Sequence, residues 1–182
     1  VQISKQILII LVLGLCVSCG YYNPYVASSN SKPITLHRSM WTNQTNELGL
    51  ETTFYHALSD WLRKSKLITL TEDKNDAEYV LTGKIVSVYY PELSYTNHNV
   101  ANELRANLTV TFSLTDQSTG KTVWEKTNYT RTETLAAVAD PNQLRAYKKV
   151  ALRQIADDLA EEIYLYLINS IMRPDRNNRT QM

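Results

Sequence analysis

With 182 residues, 19 Lys and Arg against 18 Asp and Glu, and a formal charge of +1, the chain is long enough for one domain with a sizeable core and has no net field to draw it to nucleic acid. Its only cysteines are Cys16 and Cys19, so everything after residue 19 lacks a disulfide, a thiolate nucleophile and a Cys-rich metal site. Twelve Tyr against two Phe favour surfaces where a ring is buried and its hydroxyl stays wet.

A basic start at Lys5, an apolar run from Ile7 to Val17, and then small residues around Cys19 predict a bacterial lipoprotein signal peptide over 1–18. The run falls short of the roughly 20 apolar residues that a spanning helix needs. Ser18 before and Gly20 after Cys19 select that cysteine for cleavage and acylation, while Cys16 follows the bulky Leu15. Acyl chains on Cys19 would hold the chain at a membrane, each buried methylene contributing about 0.8 kcal/mol. Gly20 stands where an inner-membrane lipoprotein commonly has Asp, which directs the anchor to the outer membrane. An ordinary secretory peptide with incidental cysteines is the alternative. Residues 19–32 are Ser- and Asn-rich without periodicity and read as a flexible tether, with Tyr21, Tyr22 and Tyr25 as interface residues or plain spacer.

One domain is expected over 33–170. Pro33 to His37 reads as a short strand and Trp41 to Asn46 as a polar connection. From Leu48 the period turns helical, with Leu50, Phe54, Ala57 or Leu58, and Trp61 or Leu62 on one stripe, Asn46 as the expected cap, and Arg63, Lys64 and Lys66 at the negative end. Leu67 to Thr71 is a second strand, Glu72 to Asp76 a charged turn, and Tyr79 to Tyr90 a long strand stopped by Pro91, with Gly83 as an expected bulge. Ser94 to Glu103 is read as a mobile hairpin loop. Leu104, Ala106, Leu108, Val110, Phe112 and Leu114 alternate strictly with polar residues, which predicts a half-buried strand. Asp116 to Lys121 supplies a turn, and Thr122 to Glu133 returns as its antiparallel partner.

Asp140-Pro141 starts a last helix running to about Ser170, since Asp caps free amides and Pro fits the first helical position. Its apolar stripe is Leu144, Tyr147, Ala151, Ile155, Leu159, Ile163 and Tyr166 or Leu167. Residues 171–182 read as a disordered tail. The expected fold is α+β: two helices on one face of a mixed, mainly antiparallel sheet of four to five strands, in the order β-α-β-β-β-β-α.

No catalytic constellation is visible. His37, His56 and His98 have no spacing that would place two on one metal, and Asp157, Asp158, Glu161 and Glu162 read as a solvated helix face with basic neighbours one turn away. No glycine-rich phosphate loop or nucleophile elbow is present. No metal and no cofactor is expected. Lys121, Lys126 and Arg131, with Arg105 opposite, are the candidate anionic-lipid contact if they share the exposed face of the hairpin; a salt-bridged sheet surface is the competing reading.

The order of motifs resembles the LptE family, the lipopolysaccharide-assembly lipoproteins of Gram-negative outer membranes. The resemblance rests on Cys19-Gly20-Tyr21; Asn43-Gln44-Thr45 followed by Glu47-Leu48-Gly49-Leu50-Glu51; Asp76-Ala77-Glu78-Tyr79-Val80-Leu81-Thr82-Gly83-Lys84-Ile85; Tyr90-Pro91-Glu92-Leu93-Ser94-Tyr95; Thr119-Gly120-Lys121-Thr122-Val123-Trp124-Glu125; and the closing helix. It covers Cys19 to about Ile168 and departs from the family at Cys16, at His37 to Trp41 and in the polar tail. It implies a non-enzymatic plug and assembly partner inside the lumen of the β-barrel LptD, on the periplasmic side of the outer membrane, helping lipopolysaccharide to the outer leaflet. A lipoprotein subunit of another envelope transport or secretion complex would share anchor and fold, and a tethered hydrolase is the enzymatic alternative.

Overall fold

The computed structural model describes residues 33–95 and 101–172. The tether, the signal segment, His98 and the residues beyond 172 lie outside the described residues. In chain order the elements are β1 (Ile34–Arg38), β2 (Thr42–Asn43), α1 (Leu50–Leu62), β3 (Ile68–Thr71), a 3-10 turn (Lys74–Asp76), β4 (Tyr79–Tyr89), β5 (Glu92–Tyr95), β6 (Ala101–Asp116), β7 (Thr122–Ala136) and α2 (Pro141–Met172).

The strands form one seven-stranded sheet, two more than the upper expectation, because two short strands escape the periodicity. One is β2, a two-residue parallel pairing of Thr42 and Asn43 with Lys84 and Ile85. The other is β5, which continues β4 along the same side of β6 after Pro91 and occupies part of the stretch expected as a loop. Parallel pairing joins β1 to β3 and to β4, and antiparallel pairing joins β4 to β6 and β6 to β7. Across the sheet the order is therefore β3, β1, β4, β6, β7, with β6 flanked on both sides.

That central position explains the strict alternation in β6. Leu104, Ala106, Leu108, Val110, Phe112 and Leu114 are all buried beneath the helices. The residues between them face the other side. β6 has 16 residues and α2 has 32, and at ~3.3 Å and 1.5 Å per residue these run about 53 and 48 Å. One helix thus lines the full length of one strand. Its buried stripe includes Ala151, Ile155, Leu159, Ile163 and Leu167, as expected, with Tyr147 left exposed. Asp140 Oδ1 accepts from the amide of Asn142 at 2.8 Å, the expected cap.

α1 buries Leu50, Phe54, Leu58 and Leu62 on its predicted stripe, but Asn46 is not its cap. Gly49 takes that place in a left-handed conformation, φ 78°, with no side-chain cap bond. Asn43 does the organising instead: its Nδ2 donates to Glu47 O (2.9 Å) and to Glu51 Oε2 (2.8 Å), tying the loop to the first helical turn.

Trp41, expected in a polar connection, is 2% exposed. Its indole stacks on Phe54 with ring centroids 4.7 Å apart and on Phe112 at 5.9 Å. Gly83, expected as a bulge, pairs in register with Phe112. A Cβ there would come within 2.1 Å of the Trp41 ring, so the glycine makes room for the indole. The register shift in β4 falls two residues on, between Ile85 and Ser87.

Candidate functional site

Because both helices cover one face, the other face of the sheet carries only what its strands supply. Thr35, His37 and Thr69 lie on it from β1 and β3; Thr82, Lys84 and Ser87 from β4; Arg105, Asn107, Thr109, Thr111 and Ser113 from β6; and Thr130, Thr132 and Thr134 from β7. These side chains are exposed or half-exposed. Neighbouring hydroxyls pair across strands, Thr82 with Ser113 at 3.0 Å and Thr109 with Thr130 at 2.9 Å. The result is a broad hydrogen-bonding surface with few charges, able to meet donors and acceptors alike.

The four basic residues singled out in the sequence do not form one patch. Arg105 pairs with Thr134 and lies on the hydroxyl face. Arg131 and Lys126 stand opposite Leu108 and Phe112 and therefore lie on the helix side. Lys121 sits at the hairpin turn, where Thr119 Oγ1 accepts from its amide at 3.3 Å. The turn between strand faces was legible. What the alternation of β7 conceals is a bulge: Thr127 and Asn128 together oppose Thr111, and Asn128 takes φ 51°.

Arg131 is already engaged. Its Nη2 donates to Glu162 of α2, and the Tyr129 hydroxyl donates to the same carboxylate at 3.0 Å. Hydrogen bonding to Glu162 holds the Arg131 guanidinium more firmly protonated than usual, and burial followed by the Glu162 carboxylate pushes the Tyr129 hydroxyl up. Glu162 is accordingly not part of a free solvated face. Asp157 of the same cluster accepts from Trp61 Nε1 at 2.8 Å and links the two helices.

Elsewhere the polar interior is structural. Arg38, 3% exposed, donates from Nε to Ser59 Oγ (2.7 Å), from Nη2 to the Tyr55 hydroxyl (2.7 Å) and from Nη1 to Glu72 (3.3 Å), binding β1 to α1. The Tyr90 hydroxyl donates to Glu47 Oε1 at 2.9 Å, while Lys148 Nζ lies 4.2 Å over its ring. Burial, followed by that bond, pushes the Tyr90 hydroxyl well above its ordinary range. No group of three or more His, Cys, Asp or Glu residues able to hold a metal occurs among the described residues. His37 Nδ1 lies 3.2 Å from Thr71 O, and His56 sits on α1 beside Tyr55.

Fold and surface together define a one-sided α+β domain whose accessible chemistry is a hydroxyl-rich sheet and a long edge strand. The family model described as lipopolysaccharide-assembly, LptE, matches residues 35–167. The chain belongs to the LptE family, a non-enzymatic lipopolysaccharide-assembly family. No curated protein matches it. Among solved structures it is similar to a lipoprotein from Caulobacter crescentus (17% identity, 72% of this chain and 90% of that one, TM-score 0.49). It is also similar to PelC of Paraburkholderia phytofirmans, a dodecamer (17%, 80% and 93%, 0.45), and to a minor lipoprotein of Acinetobacter baumannii (23%, 75% and 91%, 0.44).

Proposed function

We propose that this protein is an outer-membrane lipoprotein, anchored through acylated Cys19 and facing the periplasm, that plugs and helps assemble an LptD-type β-barrel and assists delivery of lipopolysaccharide to the outer leaflet. The observation that carries the reading is the family match over residues 35–167. The hydroxyl face supports it physically. A barrel lumen is wet and polar, so a body standing in it needs a rigid core and a surface that exchanges hydrogen bonds without burying isolated charges. Two long, packed layers with Thr-rich strands outward meet that demand. In this reading the chain is not an enzyme, and lipopolysaccharide contact by Lys121, Lys126, Arg131 and Arg105 is made from two sides of the hairpin rather than by one patch. Residues 1–18 are removed, and 19–32 serve as the tether.

The test is affinity purification of the tagged, lipidated full chain from detergent-solubilised outer membranes, with mass spectrometry of what accompanies it. A large β-barrel protein in stoichiometric yield is the expected result. Recovery alone, or with inner-membrane transport subunits, overturns the assignment and leaves a lipoprotein of another envelope machine.

A further inference from the structure

β7 pairs with β6 on one side, and no described strand pairs with the other. An edge of 15 residues is long for a protein in water, and such edges are normally blocked. The bulge at Thr127 and Asn128 interrupts it, but beyond the bulge Tyr129 to Ala136 keeps an unbroken register and holds no proline. α2 runs along one face of this stretch, with Tyr147 and Val150 beside Leu135 and Ala136 at one end and Glu162 bonded to Tyr129 and Arg131 at the other. The strand edge itself is left uncovered by any described strand. The β6 side chains beneath the helix are buried, whereas Arg131 on β7 keeps 43% of its side chain exposed.

From this edge we infer that two copies of the chain pair through β7, antiparallel, about a two-fold axis at Thr132. The sequence of the run is self-complementary about that residue. Arg131 falls opposite Glu133 of the second copy, Thr130 opposite Thr134, and Tyr129 opposite Leu135, each pair on one face of the joined sheet. The charges match an existing need. Arg131 Nε is buried without an acceptor, and Glu133, half-exposed on the same face, has no hydrogen bond or ion pair among the described residues. In the single chain they are neighbours two apart on one strand and do not meet. Across the axis they stand directly opposite, twice. The inner end of the run also borders a groove of about 270 Å³ lined by Leu135, Ala136, Tyr147 and Val150, the last two exposed. The Tyr129 ring of the second copy would lie beside it. This pairing belongs to the domain free of a barrel, and its test does not involve the barrel.

The test uses the full chain, purified in detergent away from other envelope proteins and oxidised with copper phenanthroline. Thr132→Cys places two thiols on the axis, where opposed Cα atoms stand ~4.5–5.5 Å apart, within disulfide range. Thr134→Cys places its thiols about 13 Å apart along the strand, out of range. Cross-linked dimer from the first and only wild-type background from the second is expected, the wild type reporting any contribution of Cys16 and Cys19. Adding Glu133→Arg to the first should lower the yield about tenfold by turning both cross-strand attractions into repulsions. Glu133→Gln should lower it less, and serves if the arginine variant fails to fold. Background yield from Thr132→Cys, equal yield from Thr134→Cys, or indifference to both Glu133 changes overturns the pairing.

Discussion

Gly83→Ala tests the packing on which the sheet and α1 both rest. The glycine has no unusual backbone requirement, so the effect is steric: the added methyl would lie 2.1 Å from Trp41 Cε2 and 2.3 Å from Cδ2, where ordinary contact begins at 3.4 Å. The indole must retreat by roughly an ångström, yet it is stacked between Phe54 and Phe112, both at most 1% exposed. Overpacking of this kind costs about 1–3 kcal/mol, and a site this confined belongs at the upper end. Trp41→Ala should cost about 3–5 kcal/mol by leaving a cavity. In that variant the space above residue 83 is empty, so Gly83→Ala should become neutral or stabilise by about 0.5–1 kcal/mol through reduced chain entropy. The expected coupling is at least about 2 kcal/mol, read from urea unfolding of the four proteins by far-ultraviolet circular dichroism. Additivity within about 0.5 kcal/mol would refute the close-approach explanation, as would a neutral Gly83→Ala in the wild-type background.

Tyr55→Phe removes a 2.7 Å hydrogen bond to the buried Arg38 guanidinium and should cost about 1.5–3 kcal/mol in urea unfolding. Glu72→Gln, at a side chain 76% exposed, should cost under about 1 kcal/mol. Burial foremost raises the hydroxyls of Tyr79, Tyr90 and Tyr129 above the ordinary 10.0. The folded state therefore binds these protons more tightly than the unfolded one, and the stabilisation, complete below pH 10.0, is lost as pH rises through the folded values. Absorbance titration at alkaline pH should show late-ionising tyrosines that merge with the rest in denaturant. The Asp116 carboxyl, held down chiefly by hydrogen bonding to the Ser118 hydroxyl, should titrate below its ordinary 3.8 and move up in Ser118→Ala, as followed by carboxyl NMR.

What could be read from the chain was what depends on neighbours close in sequence. The alternation of β6, the stripe Leu50, Phe54, Leu58 and Leu62 of α1, and Asp140-Pro141 at the start of α2 are local signals, and the structure follows them. Trp41 and Gly83 were misread because each explains the other across 42 positions' separation in sequence, and neither alone carries the sign of a close approach. Asn46 satisfied the composition of a cap, yet Gly49 reaches the left-handed geometry that the entry to α1 uses, and Asn43 supplies the polar ties. The four cationic residues do not share one face, because Arg105 lies on the hydroxyl side and Lys121 at the turn. One extra residue in β7 puts Lys126 and Arg131, five apart, together on the helix side, where strict alternation would have separated them.

That same bulge bears on how a plug of this shape would meet a barrel. The wall of a closed barrel has all its backbone groups paired and offers no edge. It cannot extend the sheet at β7. The outward amides and carbonyls from Tyr129 to Ala136 must then be met by water or by side chains of the wall, and Arg131 keeps Glu162 as its partner. In the free chain a second copy supplies both strand and carboxylate. If the chain plugs a barrel as proposed, entry into it and pairing through β7 are therefore competing states of one surface. Thr132→Cys cross-linking should fall in material recovered with the barrel and be retained in material recovered without it; equal cross-linking in both would refute the competition.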